Sequence, residues 1–151
     1  MKRLILALLT GAALAASSPV YAAVKTIVLV HGAFADGIGP VGDGFLAVNP
    51  DAFPNDFAAD APLPVARFMA ISQVPVSGDA LKAKATVAAW KQKPSYAVIP
   101  MQDRMINPDL ERFMTKRAES EVIELPGSHA IFLSHAREVA ALIEKAAAAA
   151  K

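Results

Sequence analysis

Two side chains in the second half of the chain are of the right type to move a proton: Asp103, in Gln102-Asp103-Arg104, and His129, in Gly127-Ser128-His129-Ala130. A histidine changes charge near neutral pH, and a carboxylate against one ring nitrogen fixes its tautomer and stabilises the imidazolium that forms. Such a pair is a general base for a hydroxyl or a water. The serine that usually completes it, on a G-x-S-x-G turn, is missing: the serines at 72, 77, 95, 120, 128 and 134 all lie outside that frame. Ser128 adjoins His129, and a side chain next to the ring in sequence is poorly placed to donate to it. His135 follows His129 by six residues, which is not the one-turn spacing of a helical metal pair, and there is no cysteine. No metal and no other cofactor is expected.

The elements around these residues predict that they meet. The apolar run Tyr96-Ala97-Val98-Ile99, bounded by Pro94 and Pro100, reads as a buried strand, and Asp103 follows it in a loop. Asn107-Pro108-Asp109 then gives an N-cap, a proline at the first helical position and an acid at the positive helix end. Leu110, Phe113 and Met114 put one apolar stripe on that helix. A second strand, Val122-Ile123-Glu124-Leu125, stops at Pro126-Gly127, just before His129. Strands joined by a helical crossover lie parallel, so both loops leave the same carboxyl edge and Asp103 should face His129.

This arrangement, with the wording Gln102-Asp103-Arg104-Met105-Ile106 and Gly127-Ser128-His129-Ala130, resembles the carboxyl-terminal third of an α/β-hydrolase, in the branch of small secreted esterase-like proteins and hydroxynitrile lyase relatives. The β-branched run at 24–30 resembles an early strand of that fold, and His31-Gly32-Ala33-Phe34 resembles its HG-x loop. The resemblance implies that His31, Gly32, Ala33 and Phe34 form an oxyanion hole, with the backbone N–H of Ala33 or Phe34 approaching the substrate oxygen. Segment 45–90 resembles a cap, with Phe53, Phe57, Phe68 and Met69 as apolar contributors and a helix at 63–73. One block departs from the family: only residues 31–43 lie between the first strand and Gly44, too few for the βαβ unit of about 30 residues that would carry the elbow. The implied fold class is α/β, an incomplete α/β-hydrolase with a small, mostly parallel sheet, flanking helices and a cap remnant. The strand at 24–30 would pair with Tyr96–Ile99 in a three-stranded sheet.

Gly37-Ile38-Gly39-Pro40-Val41-Gly42 fits G-x-G-x-x-G, but Pro40 and Gly42-Asp43-Gly44 oppose the helix that a dinucleotide site requires, and a junction left by an internal deletion accounts for the glycines better. Asp51, Asp56 and Asp60 lack a calcium-loop frame and should face solvent. A helix is expected at 79–90, ending in Trp90 as a core anchor. Ser134 reads as the N-cap of a long helix running to about Ala149, with His135 on its surface and Val139, Leu142, Ile143 and Ala146 covering the sheet.

The amino terminus has the three parts of a secretory signal at 1–22: Lys2-Arg3, an apolar run from Leu4, and an A-x-A-like end at Val20-Tyr21-Ala22. Its removal would leave 129 of 151 residues as one domain, with 13 basic against 14 acidic side chains, and would place the protein in the periplasm or outside the cell. Near neutrality argues against nucleic acid as a partner, and no membrane association is expected after cleavage. An exported chain without cysteine rests on its core alone.

Three readings stay open. In the first, an exported esterase-like protein keeps the acid, the histidine and the oxyanion loop, while hydrolysis is weak or lost. In the second, the chain is a non-catalytic module that binds a small apolar acid or ester. In the third, another copy or another protein supplies the nucleophile.

Overall fold

Residues 38–84 and 86–149 are described by the computed structural model. The leader expected at 1–22, the strand expected at 24–30, and His31, Gly32, Ala33 and Phe34 lie outside those residues.

Two pieces of sheet organise the described residues. In the first, β1 (Ile38–Gly42), β2 (Phe45–Val48) and β3 (Val76–Ser77) pair antiparallel in that order. Where the sequence suggested only a junction, the chain turns back on itself. Asp43 and Gly44 take φ of 47° and 78°, and two positive values in a row let a tight hairpin follow the right-handed twist of its strands. Gly42, at φ 113°, absorbs the register shift between Pro40 and Gly42. The G-x-G-x-x-G match therefore lies along a strand and not under a helix.

Between β2 and β3 run α1 (Phe53–Asp56) and α2 (Leu63–Ile71). Pro62 and Pro64 fall at the N-cap and second position of α2, where the missing N–H would have no helical partner anyway. The helix buries Ala66 and Ala70, one turn apart on one face, so Phe68 is carried to the opposite side and is 67% exposed, contrary to the expected inward role. Phe53 is buried, and Phe57 and Met69 are partly so.

In the second piece, β4 (Tyr96–Pro100) pairs parallel with β5 (Glu121–Leu125), in register from Tyr96 opposite Glu121 to Pro100 opposite Leu125. They are joined by α4 (Pro108–Arg117), whose N-cap Asn107 accepts from the Asp109 N–H at 2.8 Å. Asp109 and Glu111 lie in its first turn and Lys116 and Arg117 in its last, each at the helix end its charge favours. The hydroxyls of Ser95 and Ser120, 2.8 Å apart, bring the strands together at their start. At the far end the Met101 N–H donates to the Leu125 carbonyl at 2.9 Å and the Gln102 N–H to the Gly127 carbonyl at 3.0 Å, carrying the pairing into both loops. Leu110, Phe113 and Met114 are nevertheless exposed on α4.

The helix expected at 79–90 is cut short. After α3 (Gly78–Lys82) the chain is extended at Ala83, and only a single 3₁₀ turn, Ala89–Lys91, follows. Leu81 and Val87 are exposed, and a helix of a few turns with no apolar surface to pack on is not stable by propensity alone. Trp90 is not a core anchor. It lies at the surface with the Lys91 ammonium and the Arg117 guanidinium 5.5 and 5.4 Å from its ring centre. At the carboxyl end the chain forms α5 (Ile131–Ser134), breaks at His135, and resumes as α6 (Ala136–Ala149), which packs on β4 and buries Leu142. Ser134 ends a short helix instead of capping a long one.

The core joins the two pieces. Val48, Phe53, Ala58, Ala66 and Ala70 from the 38–77 segment pack with Met105 from the loop after β4 and Ala130 from the loop after β5. Met105, 2% exposed, is thus the apolar plug between the antiparallel piece and the loop that carries Asp103.

Candidate active site

The parallel pairing of β4 and β5 sends both following loops off one edge, and the backbone bonds that extend it fix where they go. Asp103 is held from two sides. Its Oδ1 accepts the N–H groups of Met105 at 2.7 Å and Ile106 at 3.0 Å, and its Oδ2 lies 2.6 Å from His129 Nδ1. Both side chains are out of water, with 0% exposure for Asp103 and 8% for His129. A carboxylate with two backbone donors on one oxygen is left with the other to accept from the ring, so Nδ1 carries the proton and Nε2 the lone pair. That tautomer is the one a general base needs.

The segment 38–77 reaches this pair at several points. The Phe57 ring stands edge-on to the imidazole, 4.8 Å between centres, and is stacked on Phe53 at 4.6 Å. The Phe57 carbonyl accepts from the Ala130 N–H at 2.8 Å and from the Ser128 hydroxyl at 3.1 Å. On the acid loop, the Arg104 guanidinium donates to Asn55 Oδ1 at 2.6 Å.

Asp60 is exposed, as expected, and its carboxylate is at the same time engaged in hydrogen bonds. Ser128 donates to one of its oxygens and Ser134, at 2.5 Å, to the other, so its carboxylate ties the start and end of the histidine loop to the segment before α2. Burial pushes its pKa up, but the hydrogen bonds from Ser128 and Ser134 outweigh that and hold it below the usual value. A Cβ added at Gly127 would meet the ends of the Ile131 and Asp60 side chains, which would have to shift to admit it. The Ser128 hydroxyl therefore points to Asp60 and the Phe57 carbonyl. No sequence pattern near Asp60 announces this contact, since its partners lie 68 and 74 residues away.

Phe57, whose ring meets the imidazole, also lines an apolar cavity of about 340 Å³ together with Val48, Phe53, Met69, Gln73 and Phe132; Asp103 and His129 themselves are not part of its wall. The Gln73 amide is spent on the backbone: it accepts from the Val48 N–H at 2.9 Å and donates to the carbonyls of Val48 and Ala70, both at 2.8 Å. The cavity thus offers apolar surface and little unmet polarity. Among the described residues no group of three His, Cys, Asp or Glu side chains is placed to hold a metal.

One further side chain was not singled out by sequence. Glu111, in the first turn of α4, has its Oε2 sealed from solvent with no hydrogen-bond partner among the described residues. Burial, and then the nearby Asp103 charge, raise its pKa to about 7, against the opposing pull of His129 and Arg112.

No curated protein and no solved structure gives a significant match to the chain. A carboxylate and an imidazole meeting on successive carboxyl-edge loops of a parallel β-α-β unit agree with what the family comparison finds: the alpha/beta hydrolase family model matches residues 4–142, nearly the whole chain, and the protein belongs to that family.

Proposed function

We propose that this protein is an exported, esterase-like member of the family in which Asp103 and His129 still form a working general base, while the missing G-x-S-x-G serine leaves hydrolysis weak or lost. The observation that supports this most is the 2.6 Å contact between Asp103 Oδ2 and His129 Nδ1 in a site shielded from water. In this reading His129 Nε2 takes a proton from water or an incoming hydroxyl, which attacks the carbonyl of a small ester. The Asp103 carboxylate stabilises the imidazolium that results, and the apolar cavity receives the acyl or alcohol portion. His31, Gly32, Ala33 and Phe34 would supply backbone donors to the developing oxyanion. Loss of the nucleophile from such a unit costs on the order of 10⁶ in turnover, so slow hydrolysis is the expected outcome.

The test is hydrolysis of a short p-nitrophenyl ester by purified protein beside His129→Ala. Slow turnover that falls to the buffer rate in the variant supports the reading, and turnover equal in both proteins would remove catalysis from this site. The cavity also favours a second reading, a binding module for a small apolar acid or ester. There, aliphatic acids raise the melting temperature while neither protein turns over ester. Export is checked separately, by whether the mature chain found outside the cytoplasm begins near Ala23.

A further inference from the structure

Phe57 meets three successive residues of the histidine loop. Its backbone carbonyl accepts from the Ser128 hydroxyl at 3.1 Å and from the Ala130 N–H at 2.8 Å, and its ring stands edge-on to the imidazole of His129, 4.8 Å between centres with the planes at 61°. The same ring belongs to the wall of the apolar cavity, which runs from Phe53, 3% exposed, to Val74 and Phe132 at the surface. None of the described residues that line this cavity is charged. Its volume of about 340 Å³ is roughly twice the 150 Å³ of an apolar cavity that admits benzene, enough for a short aliphatic chain.

We propose that Phe57 is a positioning residue that carries the filling of the cavity to the base: an aliphatic chain packed against its ring shifts that ring, and the imidazole of His129, in contact with it, turns against Asp103.

The other neighbours are held too firmly to absorb the shift. Phe53, stacked on Phe57 at 4.6 Å and buried, backs the ring on one side. The loop on either side of His129 is tied to the Phe57 carbonyl, and Asp103 is fixed by the N–H groups of Met105 and Ile106 at 2.7 and 3.0 Å. In a close-packed interior a displacement passes to the least restrained neighbour. Here that is the imidazole, which can still rotate about its bond to Cβ. Such a rotation changes both the 2.6 Å contact of Nδ1 with Asp103 Oδ2 and the direction in which Nε2 points. Asp103 and His129 are not in the cavity wall, so the ring of Phe57 is the link by which the pair senses a bound chain.

The inference rests on the cavity being the ligand site of the proposed function, but its test does not use turnover. The probe is 1-hexanol, titrated into the full chain at fixed pH while the melting temperature and the imidazole resonances are followed, with His129 assigned by comparison with His129→Ala. In the unmodified protein 1-hexanol is expected to raise the melting temperature and to shift the His129 ring resonances saturably, both with the same half-saturation. Phe57→Leu keeps the backbone carbonyl and an apolar wall but removes the aromatic edge, and should bind 1-hexanol with the His129 shift lost. Phe57→Tyr, which keeps the ring, should retain the shift, as should Phe132→Leu, which alters the wall elsewhere. A raised melting temperature with unmoved His129 resonances in the unmodified protein would overturn the inference and leave the cavity as a binding site, and this reading needs no variant to fold. A shift kept in full by Phe57→Leu, or abolished by Phe132→Leu, would overturn it as well. Neither stabilisation nor a shift would overturn it together with the part the cavity plays in the proposed function. A shift in a protein without esterase activity would leave it standing and count only against the hydrolytic reading.

Discussion

The segment 38–77 and the β4-α4-β5 unit with its two loops solve the same problem, how to keep a short stretch of chain ordered, by different means. In the β4-α4-β5 unit, order is local: a capped helix, a parallel register and backbone bonds that run past the strand ends place Asp103 and His129 within 26 residues of each other. In 38–77 order is borrowed. Its helices bury alanines and one phenylalanine, its outer face leaves Leu63, Val65, Phe68 and Ile71 exposed, and it is anchored through Met105, Asp60 and Asn55 to the unit it covers. The difference teaches that the acid and histidine can find each other from nearby sequence alone, whereas what surrounds them depends on contacts spanning 49 to 74 residues.

Breaking those long contacts one at a time should grade the dependence. Met105→Ala empties the position between the two regions and should cost about 2–5 kcal/mol, read as a lower urea midpoint at unchanged slope. If the loss is below about 1 kcal/mol, the two regions are not sharing a core. Asp60→Ala leaves the hydroxyls of Ser128 and Ser134 without their carboxylate, and should cost about 1–2 kcal/mol while loosening the histidine loop, seen as faster amide exchange at 128–130. Asp60 also gives a pH signature. Because its pKa is depressed on folding, its contribution is present at neutral pH and lost as the pH falls below the ordinary carboxylate range, so the variant should lose the corresponding part of the acid sensitivity of unfolding. Arg104→Ala removes only an exposed hydrogen bond to Asn55 and should change stability by less than about 1 kcal/mol. A larger effect there would mean that the acid loop leans on 38–77 more heavily than the histidine loop does. Glu111 acts in the other direction: its pKa is raised on folding, so its share is full below about 4.5 and is lost as the pH rises from there to about 7.

The failures of sequence reading follow the same division. The strands at Tyr96–Pro100 and Glu121–Leu125, the Asn107 cap and the meeting of Asp103 with His129 were legible because each is set by neighbours within a few residues, and parallel pairing then leaves one geometry. The hairpin at Asp43-Gly44 is equally local, and its signal is the Asp-Gly pair, not the spacing of the glycines around it. Trp90 and the helix expected at 79–90 failed for another reason: apolar residues at helical spacing predict a buried face only where something lies opposite to bury it.

By itself the sequence determined the alternation of strand, capped helix and strand and the placing of Asp103 and His129 in the loops that follow the two strands, because propensity, capping and motif are properties of adjacent residues. Only the tertiary structure decided that the Asp60 carboxylate would clamp the histidine loop, that Phe68 and Trp90 would stay outside, and that one carboxyl oxygen of Glu111 would be shut away from water. Burial and charge depend on what the rest of the chain brings alongside a residue, and no pattern around that residue encodes them.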